Sequence, residues 1–222
     1  NSQFLTVWVK QEPTFSLIIR FMKNAQKTHF IFDVDDTLAD SYEFNQQMFV
    51  DTFISYVDLS NPDIEKYLRN LHHISRGVSM ITQFEQAISH LNIRPTASEL
   101  VDKNELLHQN NIAKMKMFDA VSEVITRLRS QGKDVSICSN RQLGSLSKIL
   151  TQHHMQDLFT HTISCADSGH EKPDPFCLET LVKESGKPKE EFIFFGDSNT
   201  DYQFATNAGI DCIIVDHYLN QK

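Results

Sequence analysis

Short apolar runs alternate along this chain with stretches in which apolar residues recur at three- and four-residue steps. Residues 29–34 (HFIFDV) are the first run, and it ends in acid. A continuous apolar run of this length suits a strand buried on both faces of a parallel sheet. Comparable runs occur at 134–138 (DVSIC), 161–164 (HTIS), 192–195 (FIFF) and 211–215 (DCIIV). Between them Val121, Val124, Ile125 and Leu128 keep helical spacing up to Gly132, as do Leu146, Ile149 and Leu150. Phe176, Leu178, Leu181 and Val182 do the same and stop at Gly186. Strands that alternate with helices predict βαβ units, hence an α/β fold with an open, Rossmann-like parallel sheet.

The interval 43–116 breaks that rhythm. It contains no run that reads as a strand and predicts helices over 44–57, 61–72, 79–91 and 96–114. Asn61-Pro62 and Pro95-Thr96 mark starts and Arg76-Gly77 marks a break. An all-helical block set into an α/β chain is most simply a second, smaller domain. The expected division is therefore 28–42 with 117–222 as the α/β core and 43–116 as the helical insert. Residues 1–27 lack the basic flank, apolar stretch and small-residue site of a signal peptide. They read as an N-terminal extension of unclear role.

Composition narrows the partners more than the fold. Of 222 residues, 40% are apolar and 23% charged, enough to bury a core domain and a smaller one. The net charge of −8 argues against a nucleic-acid or anionic-membrane partner, and no basic stripe offsets it. A phosphorylated substrate stays possible, because a local cation can reverse the field in one cleft. Cys138, Cys165, Cys177 and Cys212 lack the short spacing of a zinc site and suit free thiols in a reducing cytoplasm. No apolar run approaches the ~20 residues that cross a bilayer.

The polar residues gather where the strands end. Asp33-Val34-Asp35-Asp36-Thr37 closes the first run, with Asp33 and Asp35 on one side of an extended chain and Val34 on the other. Ser139-Asn140-Arg141 follows the second run, and Gly196-Asp197-Ser198-Asn199-Thr200-Asp201 the fourth. Lys172 falls in the loop before the helix that starts near Pro175. Any one of these alone would pass for a helix cap or turn. Together they collect at the carboxyl edge of one sheet, where open α/β sheets bind ligands.

At this point the residues resemble a known family. FDVDDTL resembles the DxDxT signature of the haloacid dehalogenase superfamily, and ICSN its second motif, a strand ending in Ser or Thr. The lysine of HEKPDP resembles the third motif, and FFGDSNTDYQFATNAG the fourth. The four stand in family order over about residues 28 to 216. Ala39-Asp40-Ser41 before a helical insert resembles the subgroup with a small α-helical cap, as in phosphoglycolate and sugar-phosphate phosphatases. Asp36 stands where that signature usually has glycine.

The resemblance implies roles. Asp33 would be the nucleophile that becomes an aspartyl-phosphate. Asp35 would be the general acid and then the base for water, its backbone carbonyl a metal ligand, and Thr37 would position this loop. Ser139 would bind a phosphate oxygen, with Asn140 and Arg141 flanking the phosphate, and Lys172 would neutralise nucleophile and phosphate. Asp197 would ligate Mg2+ directly and Asp201 would hold metal-bound water. The expected metal set is thus Asp33, Asp35, Asp197 and Asp201, and the expected substrate a small phosphorylated metabolite.

Charge explains why these parts belong together. Three ionised aspartates and a phosphomonoester bring about −5, and each unit pair at ~4 Å repels by roughly 4 kcal/mol at an effective dielectric of 20. Mg2+ and Lys172 return about +3, and Asp35 is expected to enter neutral.

Other features read as structure. His72-His73 and His153-His154 lack ligand spacing, and Phe44, Phe49, Phe53, Phe192, Phe194 and Phe195 read as core. Of Arg69, Arg76 and Arg94, Arg76 is the candidate for contacting the rest of the substrate, because it adjoins Gly77 in a break. Gly77-Val78-Ser79 resembles the cap loop of β-phosphoglucomutases, but Met80 replaces their arginine. A phosphotransferase or mutase acting on a sugar phosphate is the alternative, followed by a non-catalytic phospho-ligand-binding protein. Asp35 disfavours a dehalogenase. Either a monomer or a homodimer is compatible with this reading.

Overall fold

The computed structural model describes residues 6–9, 27–76 and 78–215. The chain divides into two compact units, one of Asn1–Asp40 with Lys116–Lys222 and one of Ser41–Met115.

The first unit is built on a six-stranded sheet. Its strands are β1 (Thr6–Val9), β2 (His29–Phe32), β5 (Asp134–Ser139), β6 (His161–Ser164), β7 (Phe192–Gly196) and β8 (Asp211–Val215), in the order β1-β8-β7-β2-β5-β6. Every pairing in it is parallel. The central strand β2 is flanked by β5 and β7, and Phe30, Ile31 and Phe32 are wholly buried, as a strand covered on both faces requires. Alternation then sorts the side chains. Phe32 stacks on Phe195, with ring centroids 4.8 Å apart. Ile31 and Phe194 belong to a cluster with Leu178, Leu181, Phe204 and Ile214.

The crossover helices follow the apolar spacing: α5 (Val121–Ser130), α6 (Leu143–Gln152), α8 (Phe176–Ser185) and α9 (Asn199–Ala208), with a single turn α7 (Cys165–Ser168) after β6. Register carries the functional consequence. Phe32 lies level with Ile137 on one side and Phe195 on the other. The residues that follow β2, β5 and β7 therefore leave the sheet at one edge.

Two features lay outside the sequence reading. β1 falls within the residues taken as an extension of unclear role, yet it pairs with β8 from Thr6↔Cys212 to Val9↔Val215. Lys27 is buried, with its ammonium 2.6 Å from Asp211 and donating to the Glu190 and Phe192 carbonyls. The second feature is a pair of two-residue strands, β3 (Ala39–Asp40) and β4 (Lys116–Met117), joined antiparallel where the chain leaves and re-enters this unit.

The second unit is helical: α1 (Tyr42–Thr52), α2 (Pro62–Ile74), α3 (Met80–Leu91) and α4 (Ala97–Asn111), the last followed by a 3-10 turn. The helix read over 44–57 is shorter, and the others agree to within a few residues. Their starts are capped by Asn61, Ser79 and Thr96, the last in a reciprocal box with Glu99. Phe49, Phe53, Leu68, Leu71, Phe84, Ala87 and Leu100 form this unit's own core. No helix among the described residues is long and apolar enough to cross a membrane.

Candidate active site

The site starts where β2 ends. The Asp33 amide continues the ladder by donating to the Phe195 carbonyl at 2.8 Å. The Val34 carbonyl then accepts from the amides of Thr37, Leu38 and Ala39, at 3.3, 3.0 and 2.8 Å, which rolls the chain into a tight turn. Inside that turn Asp36 has φ +53°. The left-handed region explains why related signatures carry glycine here, and why Asp, which tolerates that region better than most residues, can replace it. Val34 is buried on the core side, and Thr37 is fully buried. Among the described residues, Thr37 Oγ1 finds no hydrogen-bond partner.

Asp33 is buried and faces Lys172, whose Nζ lies 3.0 Å from Oδ1, an ion-pair contact rather than a well-directed hydrogen bond. The same Nζ donates to Asp201 Oδ1 at 2.6 Å. Asp201 is completely buried. Its second oxygen accepts from Ser198 Oγ at 2.6 Å and from the Ser198 and Asp197 amides at 3.2 and 3.3 Å. Ser198 caps α9 in return, accepting from the Asp201 amide. Gly196 makes this possible, because a Cβ there would lie 2.4 Å from Asp201 Cβ. Gly196 and Ser198 are therefore supporting residues to which the sequence reading gave no role, although Ser-x-x-Asp at a helix start is the pattern of such a cap.

Carboxylate oxygens of Asp33, Asp197 and Asp201 all lie within 4.8 Å of one another. Three hard oxygen donors this close together suit a divalent cation such as Mg2+, so the donor set fits the expected ion. Asp35 is not one of these three residues.

The electrostatics have one dominant cause. Burial pushes the Asp33 carboxyl up to about 7; Lys172 opposes the shift, and Asp201 and Asp35 add to it. Burial alone would push Lys172 down, but Asp201 and then Asp33 outweigh it and hold the ammonium charged above the usual lysine range. Lys172 sits closer to Asp201, which leaves Asp33 the less compensated anion.

Ser139, which ends β5, and the two residues after it split their tasks. Ser139 is buried, and its Oγ accepts the Arg141 amide at 3.3 Å. Asn140, expected beside the phosphate, instead clips the Lys172 loop: its Oδ1 accepts the Lys172 amide at 2.7 Å and its Nδ2 donates to the Lys172 carbonyl at 3.3 Å. Arg141, expected beside the phosphate as well, forks onto Asp35 through Nε (3.0 Å) and Nη2 (2.6 Å). Both Asp35 oxygens thus accept N–H bonds from one guanidinium. Arg76 belongs to the helical unit, where its guanidinium lies 5.5 Å from the Tyr42 ring centroid and Tyr42 Oη meets His73 Nδ1 at 2.7 Å.

Comparison with known proteins agrees with this geometry. The profile of the family described as Haloacid dehalogenase-like hydrolase matches residues 30–215. A phosphoglycolate phosphatase of Aliivibrio fischeri is 25% identical over 187 residues, spanning 80% of this chain and 79% of that protein. The pyrophosphatase PpaX of Halalkalibacterium halodurans is 24% identical over 189 residues, spanning 85% and 83%. Among solved structures, CbbY of Rhodobacter sphaeroides in complex with phosphate shares the fold, with TM-score 0.71 and 16% identity over 88% of this chain and 89% of that one.

Proposed function

This chain belongs to the haloacid dehalogenase-like hydrolase family, and we propose that it is a Mg2+-dependent phosphatase that hydrolyses a small phosphomonoester through an aspartyl-phosphate on Asp33. The observation that carries the reading is Asp33 itself, a buried carboxylate at a strand end. Lys172 lies against it, and Asp197 and Asp201 are within ligating reach of one ion. A structural carboxylate would be better stabilised by full pairing; one left short of charge compensation suits a nucleophile.

Asp33, Asp197 and Asp201, with the Asp35 backbone carbonyl, would hold the ion. When bound, Mg2+ supplies the positive charge that lets an anionic nucleophile approach an anionic phosphate. This chain's own groups do the rest. Asp33 attacks phosphorus, the leaving oxygen takes a proton from Asp35, and Asp35 later accepts a proton from the water that cleaves the acyl phosphate. Ser139 and Lys172 bind phosphate oxygens, Lys172 with its loop fixed by Asn140. Thr37, whose amide donates to the Val34 carbonyl, holds the turn. Arg76 selects the substrate from the helical unit. The relatives act on phosphoglycolate and on pyrophosphate by their names, which supports a small phosphorylated metabolite here. The four buried free thiols support a reducing, cytoplasmic setting.

Phosphate release from p-nitrophenyl phosphate and from a panel of glycolate, sugar and nucleotide phosphates tests this. We expect turnover that chelator abolishes and Mg2+ restores, with Ca2+ failing to substitute because it prefers more ligands at longer distance. Full activity in excess chelator would overturn the metal assignment, and no release from any ester would overturn the phosphatase.

A further inference from the structure

Ser139, at the end of β5, and Asn140 and Arg141 after it would all be expected to face the phosphate, yet two of them grip other members of the site. Asn140 holds the backbone of Lys172, and Arg141 holds the side chain of Asp35. The Arg141 contact is a bidentate fork, the geometry that fixes a carboxylate in plane and direction as well as by charge. Its third guanidinium nitrogen, Nη1, donates to Ser145 Oγ at 3.1 Å, and Ser145 is fully buried on α6. The arginine side chain is only 7% exposed, against 28% for Asp35. The partly open carboxylate is therefore held by a buried cation that is itself anchored to a buried serine of α6. Lys172, by contrast, sits between Asp33 and Asp201.

We propose that Arg141 is a positioning residue for Asp35, aiming that carboxylate at the leaving oxygen and at the hydrolytic water, and that it is not a ligand of the phosphate. The proposal rests on the phosphatase reading above. Its consequence differs between the two halves of the reaction. An aryl phosphate with a good leaving group needs little protonation to leave, so Asp33 can still be phosphorylated when Asp35 is poorly aimed. Hydrolysis of the acyl phosphate needs water deprotonated from one direction, so that step loses most. An alkyl phosphate needs Asp35 in both steps.

The test is rapid-mixing kinetics of Arg141→Ala with p-nitrophenyl phosphate and with an alkyl phosphate, in excess Mg2+, beside wild type, Arg141→Lys and Asp33→Asn. Arg141→Ala should release about one equivalent of p-nitrophenol at a rate within roughly tenfold of wild type, then turn over slowly. It should lose about 10²–10³-fold in kcat on the alkyl ester with no burst. Arg141→Lys should recover part of the slow phase, since a point charge replaces some attraction but not the fork. A collapsed burst with a raised KM for both substrates would make Arg141 a phosphate ligand and overturn the proposal. Unchanged kinetics, or parallel losses in both phases matched by a fall in Tm, would overturn it as well. Turnover by Asp33→Asn would instead remove the phosphatase reading beneath it, whatever Arg141→Ala does.

Discussion

Replacing Asp33 by Asn should abolish turnover and, in chelator, make the protein more stable. The substitution keeps the shape of the side chain and removes one negative charge from a buried trio. Lys172 lies 2.6 Å from Asp201 and 3.0 Å from Asp33, so with both acids ionised the trio carries one net negative charge. In Asp33→Asn that excess charge is gone. Burial pushes the Asp33 carboxyl from 3.8 up to about 7 despite Lys172. A group whose folded pKa is raised contributes stability that is complete below its unfolded pKa and lost as pH rises through the folded value. Ionised Asp33 is thus a growing burden between about pH 4 and pH 7. A shift of that size corresponds to at most ~4 kcal/mol, and partial sharing of Lys172 brings the expected gain to about 1–3 kcal/mol. For a chain of this size that is roughly 2–12 °C in Tm. Thermal melts of both proteins at pH 5 and pH 8, with chelator and with Mg2+, measure it. The advantage of Asp33→Asn should be largest at pH 8 in chelator, small at pH 5, and reduced by Mg2+, which stabilises the ionised wild type by binding. A variant less stable than wild type at pH 8 in chelator would refute the reasoning.

Gly196→Ala would place a Cβ 2.4–2.8 Å from three atoms of the fully buried Asp201, so about 1–3 kcal/mol of stability and most activity should be lost together; melts and phosphate release report both. His29 is 1% exposed, stacks on Phe192 at 4.7 Å and shares a 3.0 Å hydrogen bond with Ser136, and burial pushes it down to about 4. Because its folded pKa is depressed, the stability it permits is present above about pH 6.5 and is lost as pH falls toward 4. His29→Gln should therefore show a smaller loss of Tm than wild type between pH 7 and pH 5, a difference of about 2 kcal/mol in urea titrations. Arg76→Ala should lower kcat/KM on the best natural ester by about 1–3 kcal/mol and leave p-nitrophenyl phosphate nearly untouched, whereas equal losses would place Arg76 in folding or at the phosphate.

Much of this was legible from periodicity. The five apolar runs became five parallel strands because each is short, unbroken and bounded by polar residues, so no other element could bury them. The helices of the insert were legible from the start signals Asn61-Pro62 and Pro95-Thr96 and the break at Arg76-Gly77, whereas the Ser79 cap was not read. β1 escaped because four residues isolated from any neighbour carry no pattern, and only the partner β8 makes them a strand. β3 and β4 escaped for the same reason, with two residues each. Within the site, strand ends gathered the polar candidates, and the resemblance to the family's four motifs singled out Asp33, Lys172, Asp197 and Asp201. Partner choice among adjacent polar residues did not follow from sequence. Asn140 and Arg141 sit next to Ser139, but only register and helix placement turn one toward Lys172 and the other toward Asp35. The close approach of Asp201 to Gly196 appears only in the structure.

The central claim is covalent: during turnover the phosphoryl group rests on Asp33. Acid quench of the wild-type protein in the steady state with Mg2+ and substrate, reduction with borohydride, and peptide mass spectrometry measure it directly. Borohydride converts an aspartyl-phosphate to homoserine, so the account predicts homoserine at position 33, dependent on substrate and on Mg2+ and missing from Asp33→Asn. Steady turnover with position 33 unmodified, or with the mark on Asp35 or any other residue, would contradict it.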